Sequence, residues 1–239
     1  MLMMHGQDVS TTLRATPCHV FADESLVYAA EFRVFGQNPL EPIYVKKSPP
    51  MNLTDVFELT SEEVEDATGL TDMLLYVEEY SRVTGHPPSS AIMTLNSQAH
   101  YYSENGRVHG HLGSFFIYGA PRKMLKGDFY YENFPGVSFE QGAEFIVYVL
   151  NPFTRVAEYS VLLVDREGVL YESESFHVAG KGAAVWSSKN RPLGHLVSPC
   201  GAILRSSMKL PCFFAARSKD GRMFSMDHGH AFLSQVLKH

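Results

Sequence analysis

The amino-acid sequence predicts an all-β protein composed of two tandem, diverged β-sandwich units of the immunoglobulin-like or jelly-roll-like kind, with few short helices. Three observations lead to this fold class. The chain carries an ordered internal repeat, which indicates a duplicated unit. Its aromatic content of 12% favours strands, because broad rings pack well on a pleated surface. Turn signals recur at short intervals along the second half, which is typical of a sandwich or barrel.

The internal repeat is the strongest of these observations. Residues 30–39 read AEFRVFGQNP and residues 143–152 read AEFIVYVLNP, so six of the ten positions are identical. The drifting offsets of the further matches indicate surface loops of different length, since such loops tolerate insertions. Four weaker matches follow in the same order: 75–85 with 170–180, 91–93 with 202–204, 105–107 with 220–222, and 109–111 with 228–230.

The repeat sets the expected domain boundaries. We expect the first sandwich over residues 18–118 and the second over residues 137–237. Residues 119–136 lie between them and contain several glycines and prolines, which is typical of a connector.

The strands of the second unit are marked by apolar and β-branched runs. Asn151-Pro152 ends the first strand, because proline cannot donate to a ladder, and residues 165–168 form a turn. Asp220-Gly221 and Asn105-Gly106 are hairpin signals in the two units, since a type I′ turn needs positive φ at both central residues. The expected strands cover residues 143–150, 159–164, 174–178, 202–206 and 211–216, with a further strand from Val169 onward.

Two segments of the first unit need separate treatment. Residues 72–82 fit an amphipathic helix, but their repeat partner alternates after a tight turn, so we predict a strand for both. Thr60-Ser61-Glu62-Glu63 resembles a capping box, which predicts one short helix inside an insertion over residues 53–66.

Composition narrows the classes of function. The net charge of −6 and the pI near 6.0 disfavour nucleic-acid binding, and no apolar run approaches the length of a membrane span. Cys18, Cys200 and Cys212 form neither a disulfide framework nor a zinc motif, so we expect reduced thiols. Without a recognisable signal peptide, the expectation is a cytoplasmic protein that binds neither nucleic acid nor membrane.

The second half of the chain resembles the β-sandwich of sensory rhodopsin transducer proteins. The resemblance lies in a strand that ends in Asn, a strand pair, and a later strand that leads through Ser and Pro to Arg and Asp. It implies a small sandwich that oligomerises and binds a ligand or partner, and it implies no catalytic residues. The chain departs from that family by carrying two units where one is usual. The matching positions are Asn151, Val161, Leu163, Asp165, Val178, Ala179, Ser207, Pro211, Arg217 and Asp220.

The paired His-Gly-His tripeptides carry the one metal hypothesis. His109 with His111, and His228 with His230, would each point to one side of a strand, because residues i and i+2 share a face. Two imidazoles on one rigid element suit a divalent transition metal such as Zn, Fe or Mn. The alternative is that glycine is the true requirement, marking a bulge or a close backbone approach.

Other chemistry has less support in the sequence. No GxSxG motif and no phosphate-binding loop occur, so we lean against an enzyme. An aromatic surface for carbohydrate stacking is a third hypothesis. Its candidate residues are Tyr101, Tyr102, Tyr130, Tyr131 and Trp186.

These patterns together predict a non-enzymatic ligand-binding or protein-interaction protein that forms a homo-oligomer or binds a protein partner. A small molecule or carbohydrate is the other ligand class. The alternative function is a two-cupin-like metalloenzyme that uses the His-Gly-His strands. That alternative lacks the carboxylate that cupins place a short distance after the histidine pair.

Overall fold

The fold is described from a computed structural model of the 239-residue chain. The structure describes residues 1–6, 9–19, 26–85, 93–103, 110–113, 130–137, 143–197, 199–219 and 224–228. Within these residues the chain is built from antiparallel strands and one short helix, so the predicted all-β fold is confirmed. Two compact units divide the chain, over residues 1–115 and 116–239.

In the described residues, the first unit has eight strands in two antiparallel sheets. One sheet has the order β1-β6-β3-β4 and the other has the order β5-β2-β7-β8. Phe32 and Phe57 stack across the space between the sheets with ring centroids 5.3 Å apart, which places the core there. The strands are β1 (Leu2–His5), β2 (Val9–His19), β3 (Val27–Phe35), β4 (Pro42–Lys47), β5 (Phe57–Thr60), β6 (Met73–Thr84), β7 (Met93–Ser103) and β8 (Gly110–Gly113).

The described part of the second unit has nine strands in two antiparallel sheets. One sheet has the order β14-β10-β16-β17; the other has the order β12-β11-β15-β9, with β13 also paired to β11. Trp186, Val161 and Phe214 lie in the core cluster between these sheets. The strands are β9 (Tyr130–Val137), β10 (Glu144–Asn151), β11 (Ala157–Val164), β12 (Leu170–Glu172), β13 (Phe176–Val178), β14 (Gly182–Ser187), β15 (Cys200–Ser206), β16 (Cys212–Arg217) and β17 (Phe224–His228).

The described strands have the same order in both units. For this comparison, the strands of the second unit are renumbered from one, with β9 as the first and β12 together with β13 as the fourth. Each unit then has one sheet with the strand order 5-2-7-8 and one with the strand order 4-3-6-1. Each strand of the first unit therefore has a positional counterpart in the second.

This correspondence differs from the sequence matches at three of the five places. Residues 30–39 lie on β3, whereas residues 143–152 lie on β10, which is the counterpart of β2. Likewise, the match to β6 falls on β12 and β13, although its counterpart is β15. The match to β7 falls on β15, although its counterpart is β16. Of the last two matches, 109–111 and 228–230 reach the corresponding strands β8 and β17, while 105–107 and 220–222 lie outside the described residues. Buried antiparallel strands have similar composition, so a short similarity does not fix which strand it marks.

The boundaries also differ from those expected. Strands β1 and β2 belong to the first unit although they begin before residue 18, because β1 pairs with β6 and β2 pairs with β7. All of strand β9 except its last residue falls inside the expected connector, and the strand pairs with β15. The Gly- and Pro-containing stretch therefore includes an edge strand of the second sandwich.

Helix α1 (Ser61–Thr68) lies where the capping-box pattern predicted it. The Thr60 side chain accepts from the Glu63 backbone N–H at 3.2 Å, and the Glu63 carboxylate accepts from the Thr60 N–H at 2.9 Å. Gly69 ends the helix with φ of 73°. The predicted strand over residues 72–82 is β6.

The strands predicted in the second unit correspond to β10, β11, β12, β13, β15 and β16. Strand β10 is buried along nearly its whole length, which explains its continuous apolar run. The hairpin signals at residues 105–106 and 220–221 lie outside the described residues. In the described part of the chain, no helix has the length and hydropathy needed to cross a membrane.

Candidate functional site

Two of the four histidines in the metal hypothesis lie on described strands. His111 is on β8 and His228 ends β17, while His109 and His230 lie outside the described residues. No group of three or more His, Cys, Asp or Glu side chains able to hold a metal occurs among the described residues. The four-histidine set therefore stays a prediction.

The backbone register places a further histidine opposite His111. On β7, His100 is the direct cross-strand partner of His111 on β8. In the second unit the partner of His228 is Phe213. The two His-Gly-His copies therefore have different neighbours, one a histidine and the other a buried phenylalanine.

His100 lies on the outer face of the sheet β5-β2-β7-β8. Its sequence neighbours Ala99 and Tyr101 point into the core, at 2% and 1% exposure, whereas His100 is half-buried. The Gln98 Oε1 atom lies 3.3 Å from His100 Nε2, and the Tyr102 ring stacks at 6.5 Å between centroids. Because an amide oxygen only accepts, Nε2 carries the proton in this hydrogen bond.

The outer face of the other sheet in this unit exposes apolar and aromatic side chains. On the edge strand β4, Ile43 and Val45 are 38% and 40% exposed, and Tyr80 on β6 is 43% exposed. On β3 between them, Arg33 is the cross-strand partner of Val45. We call this surface the β3-β4-β6 face, and define it by Glu31, Arg33, Ile43, Val45, Lys47, Glu78 and Tyr80.

The charged groups of the β3-β4-β6 face form one connected network. The Arg33 guanidinium lies 4.1 Å from the centre of the Tyr80 ring and pairs with Glu31. The Tyr80 hydroxyl donates to Glu78 at 2.6 Å, and Lys47 Nζ lies 3.6 Å from the Glu31 carboxylate. These contacts fix the Arg and Tyr side chains before any partner arrives.

Two pKa shifts follow from this network. The hydrogen bond from Arg33 lowers the pKa of Glu31 below its ordinary value. The hydrogen bond to Glu78 raises the pKa of Tyr80, because that bond needs the phenol proton. Near neutral pH, the face therefore presents a charged Glu31 and a neutral Tyr80.

A Ser-His-Glu arrangement also occurs in the first unit. His5 Nδ1 lies 3.0 Å from the Ser61 Oγ, and His5 Nε2 lies 2.6 Å from Glu65 Oε2. Ser61 is fully buried, and its Oγ accepts from the Thr11 backbone N–H at 3.0 Å. No substrate can reach this hydroxyl, so the network anchors α1 to β1 and β2 instead of supplying a nucleophile.

The structure corrects the carbohydrate-stacking hypothesis. Trp186 and Tyr101 are each 1% exposed, so neither can form part of a surface on which a sugar stacks. The Trp186 ring packs edge-on against Phe145, and the Arg191 guanidinium lies 5.1 Å from its centre. The side chains of Tyr130 and Tyr131 lie outside the description. Cys200 and Cys212 are buried and form no disulfide within the described part of the chain, as expected of structural thiols.

Sequence reasoning missed His100 and the β3-β4-β6 face. The face could have been found from the predicted strand over residues 72–82, since its alternation places Glu78, Tyr80 and Arg82 on one side. His100 could not have been found in this way, because only the pairing of β7 with β8 brings it opposite His111.

Comparison with known proteins adds no family. No protein-family model matches the chain, and no curated protein is significantly similar to it. The resemblance to sensory rhodopsin transducer proteins therefore stays a prediction.

Proposed function

We propose that this chain is a non-enzymatic protein-interaction module that self-associates through the β3-β4-β6 face of its first unit. The observation that supports the proposal is the exposure of Ile43, Val45 and Tyr80 around the fixed Arg33 side chain. Exposed apolar groups clustered with tyrosine and arginine are typical of interface cores. Tyr and Arg are also the residues in which binding energy concentrates.

The balance of charge on the face favours a second copy as the partner. Glu31 and Glu78 are acidic, while Arg33 and Lys47 are basic, and all four lie on adjacent strands. A twofold axis brings the same patch of both subunits together, so a face with both signs can pair acidic groups with basic ones. A face of one sign would repel its copy.

The face, and not the strand edge, is the proposed contact. Strand β4 is the edge of its sheet among the described strands, begins at Pro42 and ends at Lys46-Lys47, and Pro49-Pro50 follow shortly after. Lysine and proline at an edge oppose the addition of another strand. Side-chain packing across the sheet surface avoids this obstacle.

The test is light scattering on size-exclusion fractions of the wild type and of the double variant Ile43→Asp/Val45→Asp. We expect the wild type to elute with a mass above the 26.8 kDa of one chain, and the double variant to shift to one chain. Two carboxylates buried in an apolar contact oppose association because charge must be desolvated. The matched control is Val156→Asp, which alters a residue of the second unit that is 60% exposed.

The control should associate as the wild type does. Wild-type protein that stays at the mass of one chain even when concentrated would contradict the proposal. So would a double variant that associates as strongly as the wild type. Circular dichroism of each variant establishes that a loss of association is not a loss of fold.

A further inference from the structure

We propose that the edge of strand β14 in the second unit binds an extended segment of a partner protein, which adds to the sheet as a further antiparallel strand. Strand β14 ends the sheet β14-β10-β16-β17 among the described strands, because it pairs there with β10 alone. An extended peptide can join such a sheet through main-chain hydrogen bonds, and its alternate side chains then give specificity.

The backbone of β14 leaves hydrogen-bonding groups open at two residues. The Ser188 N–H donates to the Phe145 carbonyl at 2.8 Å, which identifies these two residues as a hydrogen-bonded pair. Such pairs alternate along an antiparallel ladder, so Ala183 and Val185 direct their N–H and C=O groups away from β10. In the described part of the chain, no hydrogen bond engages these outward groups of Ala183 and Val185.

Strand β14 lacks the residues that protect an exposed edge. Its sequence over Gly182–Ser187, GAAVWS, contains neither proline nor a charged residue. By contrast, the edge strand β4 of the first unit begins at Pro42 and ends at Lys46-Lys47. Proline and charged residues are means by which proteins prevent the addition of a strand. The sequence of β14 therefore permits the pairing that β4 opposes.

The open edge has a defined length. At its start, the Lys181 N–H donates to the Phe153 carbonyl at 2.7 Å, and the φ of 51° at Lys181 turns the chain. At its end, the Ser187 carbonyl accepts from Arg191 Nε at 2.9 Å. A partner can therefore pair only with the segment between these two points, which suits a short extended peptide.

The side chains beside the edge set the chemistry of the partner. Val185 is 51% exposed, so an apolar partner residue suits the position opposite it, since directly opposed side chains share a face. Lys189 is exposed just beyond the strand and forms no ion pair within the described residues, whereas Arg191 pairs with Glu174. An antiparallel partner begins at this end of β14. Charge complementarity therefore favours an acidic residue near the amino terminus of the partner segment.

This site is separate from the self-association surface. Strand β14 belongs to the second unit, whereas the β3-β4-β6 face belongs to the first. The edge of β14 offers main-chain groups to a different protein, and the β3-β4-β6 face offers side chains to a second copy. Binding of a peptide and association of the chain are measured separately, so either proposal can fail without the other.

The experiment is fluorescence anisotropy of a labelled peptide, DTTVTVT, titrated with the full-length chain. In the proposed pairing, its valines lie opposite Val185 and Ala183, and its aspartate lies towards Lys189. We expect saturable binding of DTTVTVT and none of DTTPTPT, because proline has no N–H to donate to the edge. The peptide KTTVTVT, in which the charge is reversed, should bind at least about threefold more weakly.

Variants of the chain test the same contacts. Val185→Pro removes an outward N–H without removing a donor to β10, so the affinity for DTTVTVT should fall at least about fivefold. Val185→Thr is the matched control, because threonine keeps the N–H and has a similar shape. Lys189→Glu should weaken binding by about threefold. Arg166→Glu makes the same change of charge in the exposed turn after β11 and should leave the affinity unchanged.

Circular dichroism establishes that each variant is folded. A wild type that does not bind DTTVTVT would overturn the proposal, and so would equal affinity for DTTVTVT and DTTPTPT. A folded Val185→Pro variant with wild-type affinity would overturn it as well. If that variant lowered the mass of the chain in light scattering instead, the edge would pair with its own copy. Equal affinity for DTTVTVT and KTTVTVT would contradict the acidic character assigned to the partner.

Discussion

Asp165 connects two loops of the second unit through a single carboxylate. Its Oδ1 accepts from the backbone N–H groups of Glu167 at 2.9 Å and Val169 at 2.7 Å, and its Oδ2 accepts from Val197 at 3.0 Å. The bond from Val197 is the largest cause of a lowered pKa for Asp165. The turn at residues 165–168 was predictable from the sequence, but the bond to Val197 was not, since it depends on where a distant loop folds back.

Replacing this aspartate should change how stability depends on pH. A lowered pKa in the folded state means that the charged Asp165 stabilises the fold above its ordinary pKa of 3.8, and that this contribution is lost as the pH falls through the folded value. We expect the free energy of unfolding to fall less steeply in acid for Asp165→Asn than for the wild type. Urea unfolding from neutral pH down to below 3.8 measures this slope. Equal slopes for both proteins would contradict the role assigned to the carboxylate.

Gly180 is required by a close approach of the backbone. A Cβ atom at this position would lie 2.2 Å from the Thr154 carbonyl oxygen, a distance that no side chain tolerates. The sequence alone could not show that the loop containing Thr154 approaches the backbone there.

Gly180→Ala should therefore destabilise the second unit, by about 1–3 kcal/mol for the displaced backbone. The matched control is Gly194→Ala, because a Cβ at Gly194 meets nothing within 4 Å. Thermal unfolding of the two variants tests the difference. If both variants melted at the wild-type temperature, the close approach would be relieved at no cost, contrary to this account.

At the scale of elements, the capping box determines where α1 begins. Thr60 and Glu63 each satisfy a backbone N–H of the other, and the buried Ser61 then holds the first turn against Thr11. These contacts are local except for the last one, which is why the sequence pattern alone predicted the helix.

Removing the N-cap side chain of α1 should destabilise the protein. Thr60→Ala should lower the free energy of unfolding by about 1 kcal/mol, since it leaves the Glu63 N–H without its acceptor. Thr54→Ala is the control, because Thr54 is exposed in the loop before β5. Chemical denaturation compares the two variants. A Thr54→Ala variant as unstable as Thr60→Ala would mean that the cap contributes nothing specific.

Strands β9 and β14 show where sequence reasoning was insufficient. Strand β14 contains Gly182, Ala183 and Ala184, which are poor strand formers, and it is fixed by pairing with β10 over six residues. Strand β9 contains Pro135 and Gly136, which led to the prediction of a connector. Edge strands nevertheless tolerate proline. Pairing with a neighbour overrode the local preference in both cases.

At the scale of the whole molecule, two units with the same strand order carry different outer faces. The outer side of β10 and β16 is apolar and buried at Tyr148 and Phe213, whereas the outer side of β2 and β7 is polar at Arg14 and His100. The all-β class was predictable because core strands retain their apolar pattern. The interaction face was not, since it depends on which strands become neighbours.

The central claim, that the β3-β4-β6 face is an interface between copies of the chain, is tested most directly by hydroxyl-radical footprinting in dilute and in concentrated solution. We predict that oxidation of Tyr80, Ile43 and Val45 falls severalfold as the protein is concentrated. Leu170 and Val156 are exposed residues of the second unit, at 52% and 60%, and their oxidation should not change. Oxidation of Tyr80 that is the same at both concentrations would contradict the claim.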